Sequence, residues 1–220
     1  ISFLSEPTHK SSLNDLLNGK RDIDGIKSTL DYERIATVLC RGGWPNAIGL
    51  ADDVSESVAK NYLNVLCQSD ISRVDGVKKD PDLARAILRA YARQTSTIDS
   101  DKSMYDDIRS NYALVSEATI ASYIKVLKRL YIIEDIEAWN PNIRSKTAIR
   151  TSPKKAFVDP SLAVAALGCS KKELMLDINT FGLLFENLVG RDLSVYAKKH
   201  GGVLRHYRDR YGLECDNVIH

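Results

Sequence analysis

Phe181-Gly182-Leu183-Leu184-Phe185-Glu186-Asn187-Leu188-Val189 is an apolar stretch holding one acid, and Leu213-Glu214-Cys215-Asp216-Asn217-Val218-Ile219 is a second apolar stretch holding two. In the first, Phe181, Leu184, Phe185, Leu188, Val189 and Leu193 recur at helical spacing, which predicts the longest helix of the chain, from Thr180 to Ala197. The second follows Val203 to Arg208 across Asp209-Arg210-Tyr211-Gly212, a spacing that suits a β-hairpin. Within the strand, Glu214 and Asp216 stand at i and i+2 and share one face, while Leu213 and Cys215 take the other.

Two carboxylates on one strand face are costly unless water or a cation compensates them. Glu186, set between Phe185 and Leu188, can reach the same point. Oxygen ligands of this kind suit Mg2+ or Mn2+, so Glu186, Glu214 and Asp216 are the expected metal ligands. A nuclease uses such an ion to activate water and to stabilise charge on the scissile phosphate. The competing reading is a solvent-facing strand edge paired with Arg208 or Arg210.

Upstream the sequence is helical. Residues 1–28 are polar and allow one short helix around Ser11-Ser12-Leu13-Asn14-Asp15-Leu16-Leu17, as in a connecting arm. Asp31 caps a helix with Ile35, Val38 and Leu39 inward, ended by Arg41-Gly42-Gly43-Trp44-Pro45. Ser55 to Leu66 and Pro81 to Ala92 are further helices, the latter with proline in its first turn. Residues 29–95 are therefore read as a helical domain.

Residues 96–158 have the order of a winged helix. Met104 to Tyr112 and Glu117 to Tyr131 form a helix–turn–helix, with Ser116 as cap. Strand-like Tyr131–Trp139 and Ala156-Phe157-Val158 follow, separated by a basic connector. The open face of the second helix carries Lys125, Lys128 and Arg129, and the connector carries Arg144 and Lys146. All five suit phosphate contacts on DNA, and equally a solvated surface. Residues 159–220 complete the chain as an α/β element, its first helix starting at Asp159-Pro160-Ser161 and stopping at Gly168. The fold class expected is mainly α.

Composition sets the outer bounds. The chain is 44% hydrophobic and 27% charged, and 31 basic against 29 acidic residues leave a formal charge of +2, so only local clustering can argue for a nucleic-acid partner. No apolar run approaches the roughly 20 residues that cross a bilayer, so no membrane partner is expected. Cys40, Cys67, Cys169 and Cys215 form no CxxC pair, as in a reduced cytoplasmic protein. The four histidines have no zinc-ligand spacing with them. No G-x-x-x-x-G-K-[ST] occurs; Gly19-Lys20-Arg21 lacks both the upstream glycine and the hydroxyl residue.

Arg41-Gly42-Gly43-Trp44-Pro45, Ala92-Arg93 with Thr95-Ser96-Thr97, Trp139-Asn140-Pro141 with Arg144-Ser145-Lys146, Phe157-Val158-Asp159-Pro160-Ser161, Phe181 to Glu186, and Tyr207-Arg208-Asp209 with Gly212 to Asp216 form an ordered series. The series resembles the C-terminal region of a bacterial and archaeal family of AAA-type P-loop ATPases, over about residues 30 to 220. In that family an ATPase module precedes an uncharacterised domain related to the PD-(D/E)-x-K restriction-endonuclease-like fold. The resemblance implies that Glu186 is the helix acid, Asp216 the strand acid and Glu214 its neighbour. It further implies a third strand ending in Glu-x-Lys beyond His220, so that residues 159–220 are a truncated endonuclease-like element. ATP would belong to the ATPase module alone. The expected partners are that N-terminal module, DNA, and another protein or a second copy of the chain. The alternative is a regulatory protein-interaction module of the same ATPase with no DNA contact, displaying an apolar patch around Trp44 or Trp139.

Overall fold

The computed structural model describes residues 12–20, 30–140, 152–209 and 211–220. It is mainly helical, in the order α1 (Leu13–Leu17), α2 (Tyr32–Arg41), α3 (Asp52–Val65), α4 (Ile71–Asp75), α5 (Pro81–Arg93), α6 (Asp101–Asn111), α7 (Glu117–Arg129), β1 (Ile133–Ile136), β2 (Lys154–Phe157), α8 (Pro160–Leu167), α9 (Lys171–Leu176), α10 (Ile178–Lys199), β3 (Leu204–Arg208) and β4 (Glu214–Ile219). A π-helical stretch, Leu66–Asp70, carries α3 into α4, where the sequence reading ended the helix at Leu66.

Helix starts follow local chemistry. The side chains of Asp31, Asp80, Ser100, Ser116, Asp159 and Ser170 each accept a backbone N–H of the first turn, satisfying donors that no helical carbonyl can reach. Pro81 and Pro160 stand where a missing N–H costs nothing.

The apolar faces of α2, α3, α5, α6, α7, α8 and α10 close on one continuous core, with Leu39, Leu66, Ile87, Leu88, Tyr91, Ile120, Leu127 and Phe157 at its centre. That core runs without a break through residues 95–96 and 158–159. Each large apolar side chain buried there contributes about 1.5–3 kcal/mol. Helix α8 lies in the middle, packed on α2, α3, α5 and α10.

A polar knot fixes the start of α8. Asp159 accepts the Gly43 N–H at 2.9 Å and the Arg191 Nη1–H at 2.7 Å. Ser161 donates to Asp159 Oδ1 and accepts the Trp44 indole N–H at 2.9 Å. Gly42 lies against this pair at φ +74°, and a Cβ there would stand 2.4 Å from both Asp159 Oδ1 and Ser161 Oγ. Arg41-Gly42-Gly43-Trp44 and Val158-Asp159-Pro160-Ser161 are thus two halves of one joint, which Arg191 ties to α10. Trp44 also packs on Tyr62, with ring centroids 5.0 Å apart.

Strands β1 and β2 pair antiparallel, Ile133 with Phe157 and Ile136 with Lys154. Residues 96–158 contain α6, α7, β1 and β2 in that order. Tyr91 of α5 docks the ribbon, its hydroxyl donating to the Glu134 carbonyl at 2.9 Å and its ring meeting Phe157 edge-on. Strands β3 and β4 form a second antiparallel pair with a register shift between Arg205 and Tyr207. An isolated parallel bridge between Ala138 and His206 joins the two pairs, sealed by a small cluster of Ile136, Ala156, Leu193, Leu204 and Ile219.

Candidate functional site

Strand β2 begins at Lys154, two residues earlier than its apolar composition indicates, and it is buried on both faces. Successive side chains of a strand point to opposite sides. Lys155 therefore turns toward Asp99, whose carbonyl accepts its Nζ–H at 2.7 Å, and toward the Asp101 carboxylate at 3.2 Å. Lys154 turns the other way, toward α10 and β4.

There the two principal acids meet. The Lys154 ammonium donates to Glu186 Oε1 at 2.6 Å and to Asp216 Oδ1 at 3.0 Å. The lysine side chain is 3% exposed, Glu186 22% and Asp216 52%, so the cluster is closed beneath and open toward β4. Asn187 sets the position of Glu186. Its buried amide accepts the Phe157 N–H at 3.2 Å and donates to the Phe157 carbonyl at 2.9 Å, locking α10 onto β2. The sequence reading did not single out Asn187 and placed Lys154 in the basic connector; a polar residue inside the apolar helix stripe is the only signal that marks Asn187.

The electrostatics follow from this packing. Burial raises the Glu186 carboxyl above its ordinary range; Lys154 pulls it down, and Asp216 and Glu214 push it up. Burial works to lower the Lys154 ammonium, but the two carboxylates outweigh it and hold it above the usual lysine value. Next to them His206 is buried. Burial and then the Lys154 charge depress its basicity, against weaker opposition from the Ser152 backbone, Glu214 and Asp216.

Glu214, the third expected ligand, is exposed and stands opposite Arg208 in the hairpin, with Arg208 Nη1 4.0 Å away. This is the strand-edge pairing of the competing reading. Among the described residues no three His, Cys, Asp or Glu side chains form a group able to hold a metal ion. Glu186 and Asp216 instead share a cation that the chain supplies itself, and this arrangement does not fit a three-ligand divalent site.

The basic face sits on the far side of the ribbon. Lys125, Lys128 and Arg129 are all exposed on α7. Lys128 is engaged by the Asp135 carboxylate of β1. Lys125 and Arg129 make no ion pair among the described residues; they border an open concavity of about 700 Å³. Arg144 and Lys146 lie outside the described residues. The thiols of Cys40 and Cys67 are pushed up by burial to about 12 and about 11, which leaves them unreactive. Among the described residues no helix is long and apolar enough to cross a membrane.

Comparison with known proteins places residues 32–173 in a family described as a domain of unknown function, DUF8612. The match includes α7, Lys154 and the Asp159 joint and stops before Glu186 and Asp216. No curated protein matches, and no solved structure matches.

Proposed function

We propose, for a chain that belongs to the DUF8612 family of unknown function, that it is a nucleic-acid-binding module whose α7 lays Lys125 and Arg129 against phosphates. One observation carries this reading. These two cations stand one helical turn apart on the same face and are exposed, with no carboxylate paired to either among the described residues. Most exposed lysines and arginines gain little from a neighbouring acid, but here the nearby acids are already committed: Asp135 to Lys128 and Asp101 to Lys155. Phosphate is the ligand that two uncommitted cations at this spacing serve best.

The resemblance to the AAA-type ATPase family adds a setting, in which the module works beside an ATP-hydrolysing partner domain. What supports kinship with an endonuclease-like centre is that Glu186 of a helix and Asp216 of a strand reach one point. The Lys154 ammonium lies between them, hydrogen-bonded to both, and Glu214 stands opposite Arg208, so no hydrolytic step is proposed.

Fluorescence anisotropy with labelled DNA tests the reading. Two phosphate contacts predict that the logarithm of affinity falls with that of salt concentration with a slope steeper than about −1. Joint replacement Lys125→Glu and Arg129→Glu should lower affinity at least about tenfold and flatten that slope. Unchanged affinity in the double variant, with an intact fold by circular dichroism, refutes it.

A further inference from the structure

We propose that the concavity beside α7 takes unpaired nucleic-acid bases, with the Tyr131 ring as a stacking platform; this rests on the phosphate-binding reading above and names its substrate class. The observation is a tyrosine in the wrong place for stability. Helix α7 closes with the Tyr131 N–H donating to the Lys128 carbonyl at 3.1 Å and the Ile132 N–H to the Leu127 carbonyl at 3.0 Å. That double bond pattern requires a left-handed residue just past the C-cap Leu130, and Tyr131 has φ +55°. Glycine is the usual occupant because a Cβ is disfavoured there, and a bulky ring in that conformation is an outlier.

Packing does not repay the strain. Tyr131 is 79% exposed and has no ring partner among the described residues. Backbone strain without a packing return is a feature of ligand-contacting positions. The residue also lines the same open space as Lys125 and Arg129, with Tyr105, Ile124 and Lys128 beside them and the Lys155-paired Asp101 at its edge. A flat aromatic edge bounded by two uncommitted cations matches a nucleotide with its base exposed. The phosphates meet Lys125 and Arg129, and the base meets a ring. A duplex offers the phosphates but hides its base faces, so Tyr131 would gain nothing from it. An acidic peptide would use the cations and leave the ring idle.

The test compares the chain with its Tyr131→Gly variant against three probes: an oligothymidylate of about 15 nucleotides, an abasic strand of the same length, and a duplex. Glycine relieves the strain, so thermal unfolding should show the variant at least as stable as the parent, which removes misfolding as an explanation. The expected result is a loss of about tenfold for oligothymidylate, no change for the abasic strand or the duplex, and retention of binding by Tyr131→Phe. The inference is overturned if Tyr131→Gly binds oligothymidylate as tightly as the parent does. Equal affinity of the parent for the oligothymidylate and the abasic strand also overturns it, and points to a bare polyanion or acidic peptide as ligand. Loss of all binding in the Lys125→Glu and Arg129→Glu variant, with Tyr131→Gly silent, would sink the stacking role and leave the phosphate reading standing. Absence of measurable binding to any of the three probes sinks both.

Discussion

Replacing Lys154 by methionine removes one ammonium from the acid corner and keeps the unbranched stem that packs beneath it. Glu186 then faces Asp216 with nothing between them. Breaking a buried ion pair costs roughly 3–5 kcal/mol. Here Asp216 is 52% exposed and regains water, so the expected loss at about pH 7.5 is nearer 2 kcal/mol. The pH dependence carries the sharper signature. Burial already holds the Glu186 carboxyl above its ordinary value, and Lys154 is the group that lowers it. Without Lys154 it rises further, and a carboxyl raised in the folded state contributes stability at low pH that is lost as pH rises through its folded value. The deficit of Lys154→Met should therefore shrink as pH falls toward about 5. Adding Glu186→Gln to Lys154→Met should restore most of the stability at neutral pH, since the more buried of the two uncompensated charges is gone and half-exposed Asp216 is solvated. Urea unfolding of the parent, both single variants and the double variant, at the two pH values, measures all of this. A Lys154→Met variant within about 0.5 kcal/mol of the parent at both pH values would show that the three side chains do not form a coupled cluster.

Gly42→Ala should destabilise the fold by about 3 kcal/mol in the same unfolding assay. The new methyl would meet Asp159 and Ser161 at 2.4 Å on a backbone with φ +74°, and parent-like stability would mean that the α8 joint is loose. Stability should also fall as the solution is acidified through the ordinary histidine value of 6.5, because buried His206 has depressed basicity and the unfolded chain takes up the proton more readily. His206→Phe should abolish this loss in thermal melts. Glu186 works in the opposite direction at lower pH, so the upper part of the window is the one to read.

Which features the sequence displays depends on how far apart the causes lie. Caps at Asp31 and Ser116, the helix start at Asp159, its stop at Gly168 and the β3–β4 hairpin were legible because a few neighbouring residues determine them. The meeting of Glu186 and Asp216 was legible for a related reason: an acid inside an apolar stripe must be compensated somewhere. Lys154 was not. A lysine at a strand start reads as solvated connector, and its burial depends on Glu186 and Asp216, far along the chain. Lys155 is hidden for the same reason, through Asp99 and Asp101. The pairing of Glu214 with Arg208 was not legible, because alternation along β4 says nothing of the register shift that sets the two opposite each other. The left-handed turn at Tyr131 is invisible too, since a bulky residue is not expected there.

These ion pairs also explain how a chain with a formal charge of only +2 presents a basic surface. The ribbon β1–β2 gathers cations from both its faces and matches each to an acid. Lys154 goes to Glu186 and Asp216, Lys155 to Asp101, and Lys128 to Asp135. Of these acids Asp135 lies beside α7 and is mostly buried, whereas Asp101, paired with Lys155, stays exposed at the edge of the concavity. Lys125 and Arg129 are left exposed, with no ion pair among the described residues, beside the exposed Tyr131 ring. The residual charge is thus set by how the interior pairs are assigned rather than by the total. A substitution that frees an acid, such as Lys155→Met at Asp101, should therefore weaken the basic face from behind without touching it.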